Sequence, residues 1–221
     1  MRDIQFKGWA AAYDHGNGLL RLSGLTGTAY SVIMNPEGSH PGQKKTRNFI
    51  EESMGVHDHH AEARKVGPVR YVRLSITDSR KSEDDHSGRL IESLLNEAGH
   101  SQVASMILKN DPKGLREVIK KLCDEEVDLI VMTGGTGLSK RDQTIEAVSP
   151  LLDKALPGFG ELFRSLSFQE VGSAALMSRA LCGTAKGKVI VCLPGSEHAV
   201  RLAMTKLLIP EVQHLVWQAA R

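Results

Sequence analysis

The chain has 221 residues, a formal net charge of +2 at pH 7, 41% hydrophobic residues and 5% aromatic residues. This balance is typical of a globular protein of one or two domains and excludes a chain that is disordered throughout. The small net charge and the scarcity of aromatic side chains exclude a nucleic-acid-binding surface, and no apolar run is long enough to cross a bilayer.

The cysteines and the amino-terminal residues bear on the cellular compartment. Cys123, Cys182 and Cys192 are odd in number and widely separated, which matches neither a disulfide framework nor a zinc site. We expect reduced, mostly buried thiols. No apolar segment of a signal peptide follows Met1, so we expect a cytoplasmic protein without a membrane partner.

Residues 1–53 lack a sustained apolar period and are interrupted by glycine and proline, so we interpret them as a disordered or loosely docked extension. The alternative is a hairpin of residues 18–22 with residues 29–34, although an isolated hairpin is only marginally stable. A further hypothesis makes Met54 the biological start. Mass-spectrometric recovery of peptides from residues 1–53 would exclude it.

Residues 69–221 are predicted to form one domain, with residues 54–68 as a flexible lead-in. From Val69 onward, short apolar runs alternate with amphipathic segments, as expected of repeated βα units. We therefore predict a three-layer α/β/α fold with a mainly parallel central sheet.

The predicted elements follow in chain order. Strands are expected at residues 70–76, 102–108, 129–132 and 188–193. Helices are expected from Leu90 to Ala98, from Pro112 to about Cys123, from a Thr144 cap to Leu152, at 161–166, at 173–181, from Ser196 to Leu208, and from about Pro210 onward. The strand at 129–132 is continuously apolar, which indicates a central strand covered on both faces.

A glycine-rich loop, Thr133-Gly134-Gly135-Thr136-Gly137, directly follows this central strand. Open α/β sheets bind ligands at the carboxyl ends of their strands. The glycines let backbone N–H groups approach an anion, and the two threonines add hydroxyl donors. A tight strand-to-helix turn explains the loop equally well on motif grounds, and neither the nucleotide P-loop nor the dinucleotide pattern applies. We predict a phosphate site of another kind.

Two aspartates are expected at the same edge of the sheet. Asp111 ends the preceding strand and Asp142 lies in the glycine-rich segment. Together they could hold Mg²⁺, which prefers one or two carboxylates with waters and substrate phosphates. For Asp111, a helix N-cap is a sufficient alternative explanation.

Pro194-Gly195-Ser196 follows the last predicted strand and offers a glycine, a hydroxyl and a helix N-terminus to an anion. An ordinary turn with a serine cap is an equally good interpretation of this segment alone. If both loops bind anions, the ligands carry two phosphate-bearing groups.

The chain resembles the MoaB/MogA family of molybdenum cofactor proteins over about Val69 to Val216. The resemblance is carried by five motifs that occur in the family's order: Thr133 to Gly137, Arg141-Asp142, Pro157-Gly158-Phe159-Gly160-Glu161, Leu176-Met177-Ser178-Arg179, and Leu193-Pro194-Gly195-Ser196. Thr77-Asp78-Ser79-Arg80 and Asp84-Asp85-His86-Ser87-Gly88 agree as well.

This resemblance implies a molybdopterin-binding α/β fold that assembles as a homotrimer or a dimer of trimers. It implies adenylylation of molybdopterin by ATP and Mg²⁺, with release of pyrophosphate and later hand-off to a molybdenum-insertion protein. The resemblance gives Asp111 and Asp142 roles in catalysis and metal binding. The matching substrate-binding residues are Thr133, Gly134, Gly135, Thr136, Gly137, Ser178, Pro194, Gly195 and Ser196.

The chain departs from the residues that are common in the family at Lys109-Asn110-Asp111, at Gln143 and at Glu197-His198. Glu197 matters most, because a carboxylate beside a phosphate site repels the ligand unless it points outward or helps to bind metal. Two other functions stay open. One is a non-catalytic oligomeric molybdopterin carrier, and the other is an interaction module like the gephyrin G domain, although the chain lacks that scaffold's additional domains.

Overall fold

The computed structural model describes residues 9–14, 19–24, 29–33, 67–79 and 82–221. The described residues form one nine-stranded sheet with helices on both faces. The strands are β1 Trp9–Asp14, β2 Leu19–Gly24, β3 Ala29–Ile33, β4 Arg70–Ile76, β5 Ser101–Leu108, β6 Leu129–Thr133, β7 Lys154–Ala155, β8 Leu181–Ala185 and β9 Lys188–Leu193.

Six α-helices lie in the described part of the chain. They are α1 His86–Glu97, α2 Pro112–Cys123, α3 Thr144–Val148, α4 Pro157–Val171, α5 Glu197–Ala203 and α6 Ile209–Ala219. Short 3-10 helices cover Ser82–Asp84, Ser149–Leu151 and Gly172–Met177, and a π-helical turn, Met204–Leu208, joins α5 to α6.

The strand order is β1-β2-β3-β5-β4-β6-β9-β8-β7. The four central strands β5, β4, β6 and β9 are mutually parallel, and the strands on either side of them pair antiparallel. The predicted α/β class is therefore confirmed, with its parallel part confined to four strands. The predicted central strand is confirmed too, since β6 lies between β4 and β9 with every residue buried.

Alternating side chains of the parallel strands form two cores. Val72, Leu74, Ile130 and Met132 pack under α2 and α3 on one face. Tyr71, Leu129, Val131 and their neighbours pack under α1, α4, α5 and α6 on the other face. This arrangement confirms the three layers. Because the helices that follow β4 and β6 lie on opposite faces, the carboxyl ends of these adjacent strands form the crevice where open sheets bind ligands.

Several predicted helices differ from the structure. The helix expected at 173–181 is wrong: Gly172, with φ +60°, ends α4, a 3-10 helix follows, and β8 begins at Leu181. Gly183 inside β8 weakened the strand pattern. A Cβ there would lie 2.5 Å from the Lys154 carbonyl oxygen of β7, so the glycine permits the pairing.

The cap and the length of α3 also differ. Gln143, not Thr144, occupies the N-cap position and makes no side-chain cap bond, while the Thr144 hydroxyl donates to the Gly134 carbonyl at 2.9 Å. The α-helix stops at Val148 and continues as a 3-10 turn through Pro150, whose ring disfavours further α-helical hydrogen bonding. The helix expected at 161–166 extends to Pro157 and Val171.

Three segments within residues 1–53, for which disorder or loose docking was the preferred expectation, are the strands β1 to β3. β2 pairs antiparallel with β3, as the hairpin alternative required, and β3 pairs antiparallel with β5 at the edge of the sheet. Met54 and the rest of residues 34–66 lie outside the described residues. The division into an extension, a lead-in and a domain stays a prediction.

Candidate functional site at the carboxyl ends of the parallel strands

The glycine-rich loop and the second predicted anion loop are joined to each other. The Gly134 N–H donates to the Leu193 carbonyl at 3.0 Å, and the Thr133 hydroxyl donates to the Pro194 carbonyl at 2.9 Å. A Cβ on Gly195 would lie 3.3 Å from the Cα of Gly134. The residues that follow β6 and β9 therefore form one continuous surface.

The first two glycines of the loop are required by conformation and by space. Gly134 and Gly135 have φ angles of +96° and +62°, in the left-handed region that L side chains rarely adopt. A Cβ on Gly134 would collide with the Ile76 carbonyl oxygen at the end of β4. A Cβ on Gly135 would collide with the Thr144 hydroxyl and would lie 2.8 Å from the Asn110 side-chain oxygen.

Four successive backbone N–H groups at this loop have no acceptor among the residues that the structure describes. Within the described part of the chain, the N–H groups of Gly135, Thr136, Gly137 and Leu138 donate to no protein oxygen. Backbone N–H groups are strong donors that a folded protein rarely leaves unused. Consecutive free N–H groups in a turn are the donors with which proteins bind anions.

Arg179 binds this loop from the side of α3. Its Nε donates to the Thr136 carbonyl at 2.7 Å, and one terminal nitrogen donates to the Gly137 carbonyl at 2.9 Å. The guanidinium also pairs with Glu146 at 2.7 Å. The hydrogen bond from Arg179 lowers the pKa of the Glu146 carboxyl below its ordinary value.

The structure brings Asp142 against the loop. Asp142 is half-buried, its Oδ2 accepts the Ser139 N–H at 3.2 Å, and a Cβ on Gly137 would lie 2.7 Å from the same oxygen. Asp111 is exposed and caps α2, where its two carboxylate oxygens accept the N–H groups of Lys113 and Gly114 at 3.2 and 2.9 Å. The structure therefore shows the N-cap contacts that the alternative explanation of Asp111 required.

Asn110 is a site residue that the sequence analysis did not single out. Its side-chain oxygen accepts the Gln143 N–H at 3.1 Å, and its own N–H donates to Asp78 at 3.0 Å. Asn110 therefore joins the loops that follow β4, β5 and β6. The sequence feature that could have identified Asn110 is its short amide side chain just after a strand, because such side chains often form hydrogen bonds with nearby backbone.

The second loop has the predicted serine cap. The Ser196 side chain accepts the Ala199 N–H at 3.3 Å at the start of α5, and the Ser87 hydroxyl donates to the Gly195 carbonyl at 2.8 Å. Glu197 is exposed. Ser178 is half-buried and directly precedes Arg179, through which its segment meets the glycine-rich loop.

A buried ionic network supports the N-terminus of α1, which carries Ser87. Arg73 on β4 pairs with Asp85 at 2.5 Å and with Glu92 at 2.7 Å, and the Arg73 and Asp85 side chains are 3% and 6% exposed. Asp85 also accepts the Ser75 hydroxyl at 2.7 Å and caps α1 through the Gly88 N–H. Burial removes water as a competing partner, so these charges depend on one another.

The carboxylates near the loop are few, which suits Mg²⁺ better than a metal ion that needs many protein ligands. In the region that the structure covers, no three His, Cys, Asp or Glu side chains form a metal-binding group. Mg²⁺ keeps several waters and takes one or two carboxylates. Asp142 and Asp111 are the two carboxylates expected for such a site, and a carboxylate oxygen that accepts one N–H retains a second lone pair.

The three cysteines are free and buried, as predicted. Burial raises the pKa of the Cys182 thiol to about 12 and also raises the pKa values of Cys123 and Cys192. Thiols protonated in this way are poor nucleophiles and poor metal ligands. The chemistry of the site therefore depends on backbone N–H groups and carboxylates.

An apolar surface lies beside the segment that carries Arg179. Phe168, Val171, Leu176 and Met177 are 62%, 47%, 80% and 59% exposed, and we call these residues the 168–177 surface. Large side chains that remain exposed together are typical of contact surfaces. No helix among the described residues has the length and hydrophobicity needed to span a membrane.

Residues 73–214 match the family model described as "Probable molybdopterin binding domain". Molybdenum cofactor biosynthesis protein B of Bacillus cereus is 46% identical over 170 residues, covering 76% of this chain and 99% of the relative. The Bacillus subtilis protein of that name is 47% identical over 165 residues, covering 74% of this chain and 96% of the relative.

A solved structure agrees with these relatives. The crystal structure of the tungsten cofactor synthesizing protein MoaB from Pyrococcus furiosus has a TM-score of 0.64 and 32% identity, covering 70% of this chain and 98% of that chain. The family resemblance inferred from the motifs is confirmed. The chain belongs to the MoaB/MogA family of molybdenum cofactor biosynthesis proteins.

Proposed function

We propose that the chain is a Mg²⁺- and ATP-dependent molybdopterin adenylyltransferase of molybdenum or tungsten cofactor assembly. One observation carries the proposal: the N–H groups of residues 135–138, which have no acceptor among the described residues, lie beside the Asp142 carboxylate at the carboxyl ends of the parallel strands. An anion nest beside a carboxylate suits a phosphate substrate that arrives with a divalent cation. The names of the relatives support the same pathway.

The proposed reaction is a nucleotidyl transfer. A phosphate oxygen of molybdopterin attacks the α-phosphorus of ATP, a new P–O bond forms, and the bond from that phosphorus to the β-phosphate breaks. Pyrophosphate leaves with the bonding electrons, and no group is oxidised or reduced. Such a transfer needs alignment and charge neutralisation more than a protein nucleophile.

The glycine-rich loop and Ser178 bind the molybdopterin phosphate in this proposal, and Pro194-Gly195-Ser196 binds a second phosphate group. Asp111 and Asp142 are the residues that would hold Mg²⁺. When bound, Mg²⁺ neutralises charge on the phosphate oxygens. The Asn110 side chain keeps the two aspartate loops together through Gln143. Arg141 is exposed and adds positive charge at the same edge.

The test is incubation of the purified protein with molybdopterin, ATP and Mg²⁺, followed by assay of pyrophosphate and of adenylyl-molybdopterin. We expect both products in equal amounts, and no reaction when chelator removes the metal ion. Binding of molybdopterin without either product would reject adenylyl transfer and would leave a binding protein.

A second candidate function is a non-catalytic molybdopterin carrier. One observation favours it: both carboxylate oxygens of Asp111 cap α2, and the side chain that faces Gly135 from this loop is the neutral amide of Asn110. A carrier needs the anion nest but no metal ion. Retention of Asp142 beside the loop favours catalysis, and the product assay distinguishes the two functions.

We propose further that the chain forms a homotrimer or a dimer of trimers through the 168–177 surface. Apolar side chains exposed at 47% to 80% would be removed from water by a second copy. The product would then pass to a molybdenum-insertion protein. The cytoplasmic location expected from the sequence stays a prediction.

A further inference from the structure

Arg179 is more than one half of a surface ion pair, because it also binds the glycine-rich loop. Its guanidinium donates to two successive loop carbonyls, those of Thr136 and Gly137, and pairs with both carboxylate oxygens of Glu146. The side chain is 29% exposed. A planar guanidinium can satisfy several acceptors at once in a fixed geometry, which an ammonium group cannot do.

These contacts determine the direction of two N–H groups. In a planar trans peptide, the C=O of one residue and the N–H of the next point in opposite directions. Since the Thr136 and Gly137 carbonyls point toward Arg179, the N–H groups of Gly137 and Leu138 point away from it. These are two of the four N–H groups that have no acceptor among the described residues.

The loop needs such a contact because its own sequence restrains it little. Glycine has more backbone freedom than any other residue, and ordering one residue costs about 1–2 kcal/mol. A loop that is already ordered loses less entropy when a ligand binds, so the ligand binds more tightly.

We propose that Arg179 is a positioning residue for the anion site. It holds the Thr136 and Gly137 carbonyls so that the following N–H groups face the phosphate, and it contacts no substrate itself. This inference rests on the proposed function, because it assumes that residues 135–138 bind a phosphate group. Glu146 holds the guanidinium from its outer side and contributes less, since it does not contact the loop.

The test compares Arg179→Ala and Arg179→Lys with Glu146→Gln as the matched control, which removes the ion pair and leaves both carbonyl contacts. Molybdopterin affinity is measured by fluorescence titration, and inorganic phosphate affinity by ³¹P NMR. We expect Arg179→Ala to weaken both affinities about tenfold or more, Arg179→Lys to be intermediate, and Glu146→Gln to change them less than about threefold.

Two further measurements separate positioning from a general loss of structure. Added guanidinium at low millimolar concentration restores part of the affinity of Arg179→Ala, and the variant raises the KM for molybdopterin without raising the KM for ATP. Wild-type affinity in Arg179→Ala, or an equal loss in Glu146→Gln, overturns the inference. If Arg179→Ala does not fold, wild-type affinity in Arg179→Lys overturns it instead.

The outcome also separates this inference from the proposed function. Wild-type protein that binds molybdopterin but releases no pyrophosphate rejects the proposed catalysis, and the order of affinities among the variants still decides the role of Arg179. Wild-type protein that binds neither molybdopterin nor inorganic phosphate overturns both.

Discussion

The Asn110 side-chain oxygen accepts the backbone N–H of Gln143 at 3.1 Å, which ties the segment that carries Asp111 to the segment that carries Asp142. Asp111 directly follows Asn110 in the sequence, and Asp142 directly precedes Gln143. The loops that follow β5 and β6 are thereby joined at the carboxyl ends of their strands. The link is the structural basis on which a shared divalent ion is proposed.

The first prediction concerns Asp142. Asp142→Asn should reduce pyrophosphate release by about 100-fold, because a neutral amide is a poor ligand for Mg²⁺ and neutralises no charge. The amide oxygen can still accept the Ser139 N–H, so thermal unfolding and the oligomeric state should stay unchanged. Asp124→Asn is the control, since Asp124 is exposed and pairs with Lys186 away from the loop. Unaltered turnover in Asp142→Asn would remove Asp142 from the proposed mechanism.

The second prediction separates backbone strain from close approach in the glycine-rich loop. Gly135→Ala should destabilise the protein and abolish molybdopterin binding, because the new Cβ collides with the Thr144 hydroxyl and crowds Asn110. Gly99→Ala places alanine at a similar positive φ, +86°, with no atom within 4 Å. It should cost about 1–2 kcal/mol of unfolding free energy and leave binding intact. Denaturant unfolding and ligand titration measure both effects, and equal binding losses would contradict the steric argument.

The third prediction concerns pH. Pairing with Arg179 lowers the pKa of Glu146 in the folded state, so the pair stabilises the fold above the ordinary carboxyl pKa of 4.5. That stability is lost as the pH falls through the lowered pKa of Glu146 in the folded protein. The difference in unfolding free energy between wild type and Glu146→Gln should therefore be constant near neutral pH and shrink below pH 4.5. A difference that does not change with pH would reject the assignment.

The fourth prediction concerns the 168–177 surface. Leu176→Asp should dissociate the oligomer, because a carboxylate cannot be buried in an apolar contact without a partner. Light scattering after gel filtration measures the mass of the assembly. Gln169→Asp places the same charge on an exposed position of α4 without removing an apolar side chain, so it should leave the mass unchanged. A monomeric wild type would reject the assembly itself.

The fifth prediction concerns the buried ionic network. Asp85→Ala should lower the unfolding free energy by about 3 kcal/mol or more, because Arg73 would stay buried with only Glu92 as a carboxylate partner. Asp124→Ala removes an exposed carboxylate and should change stability little. Chemical denaturation of the two variants measures the contrast. A small effect of Asp85→Ala would mean that water replaces the lost carboxylate.

The pattern of hydrophobic residues predicted much of the fold. The apolar runs at 70–76, 129–132 and 188–193 identified β4, β6 and β9, and Asp111-Pro112 identified the start of α2. These signals are local, since strand periodicity and helix caps depend on neighbouring residues. β8 was missed because its small residues become a strand only by pairing with β9 and β7.

The sequence by itself determined the α/β class, the glycine-rich loop after the central strand and the family. Each of these depends on the order of residue types along the chain. Only the tertiary structure decided that Asn110 joins three loops and that Arg179 donates to the carbonyls of the glycine-rich loop. The Asn110 and Arg179 contacts join residues more than 30 positions apart, so they exist only after the sheet has brought its strand ends together.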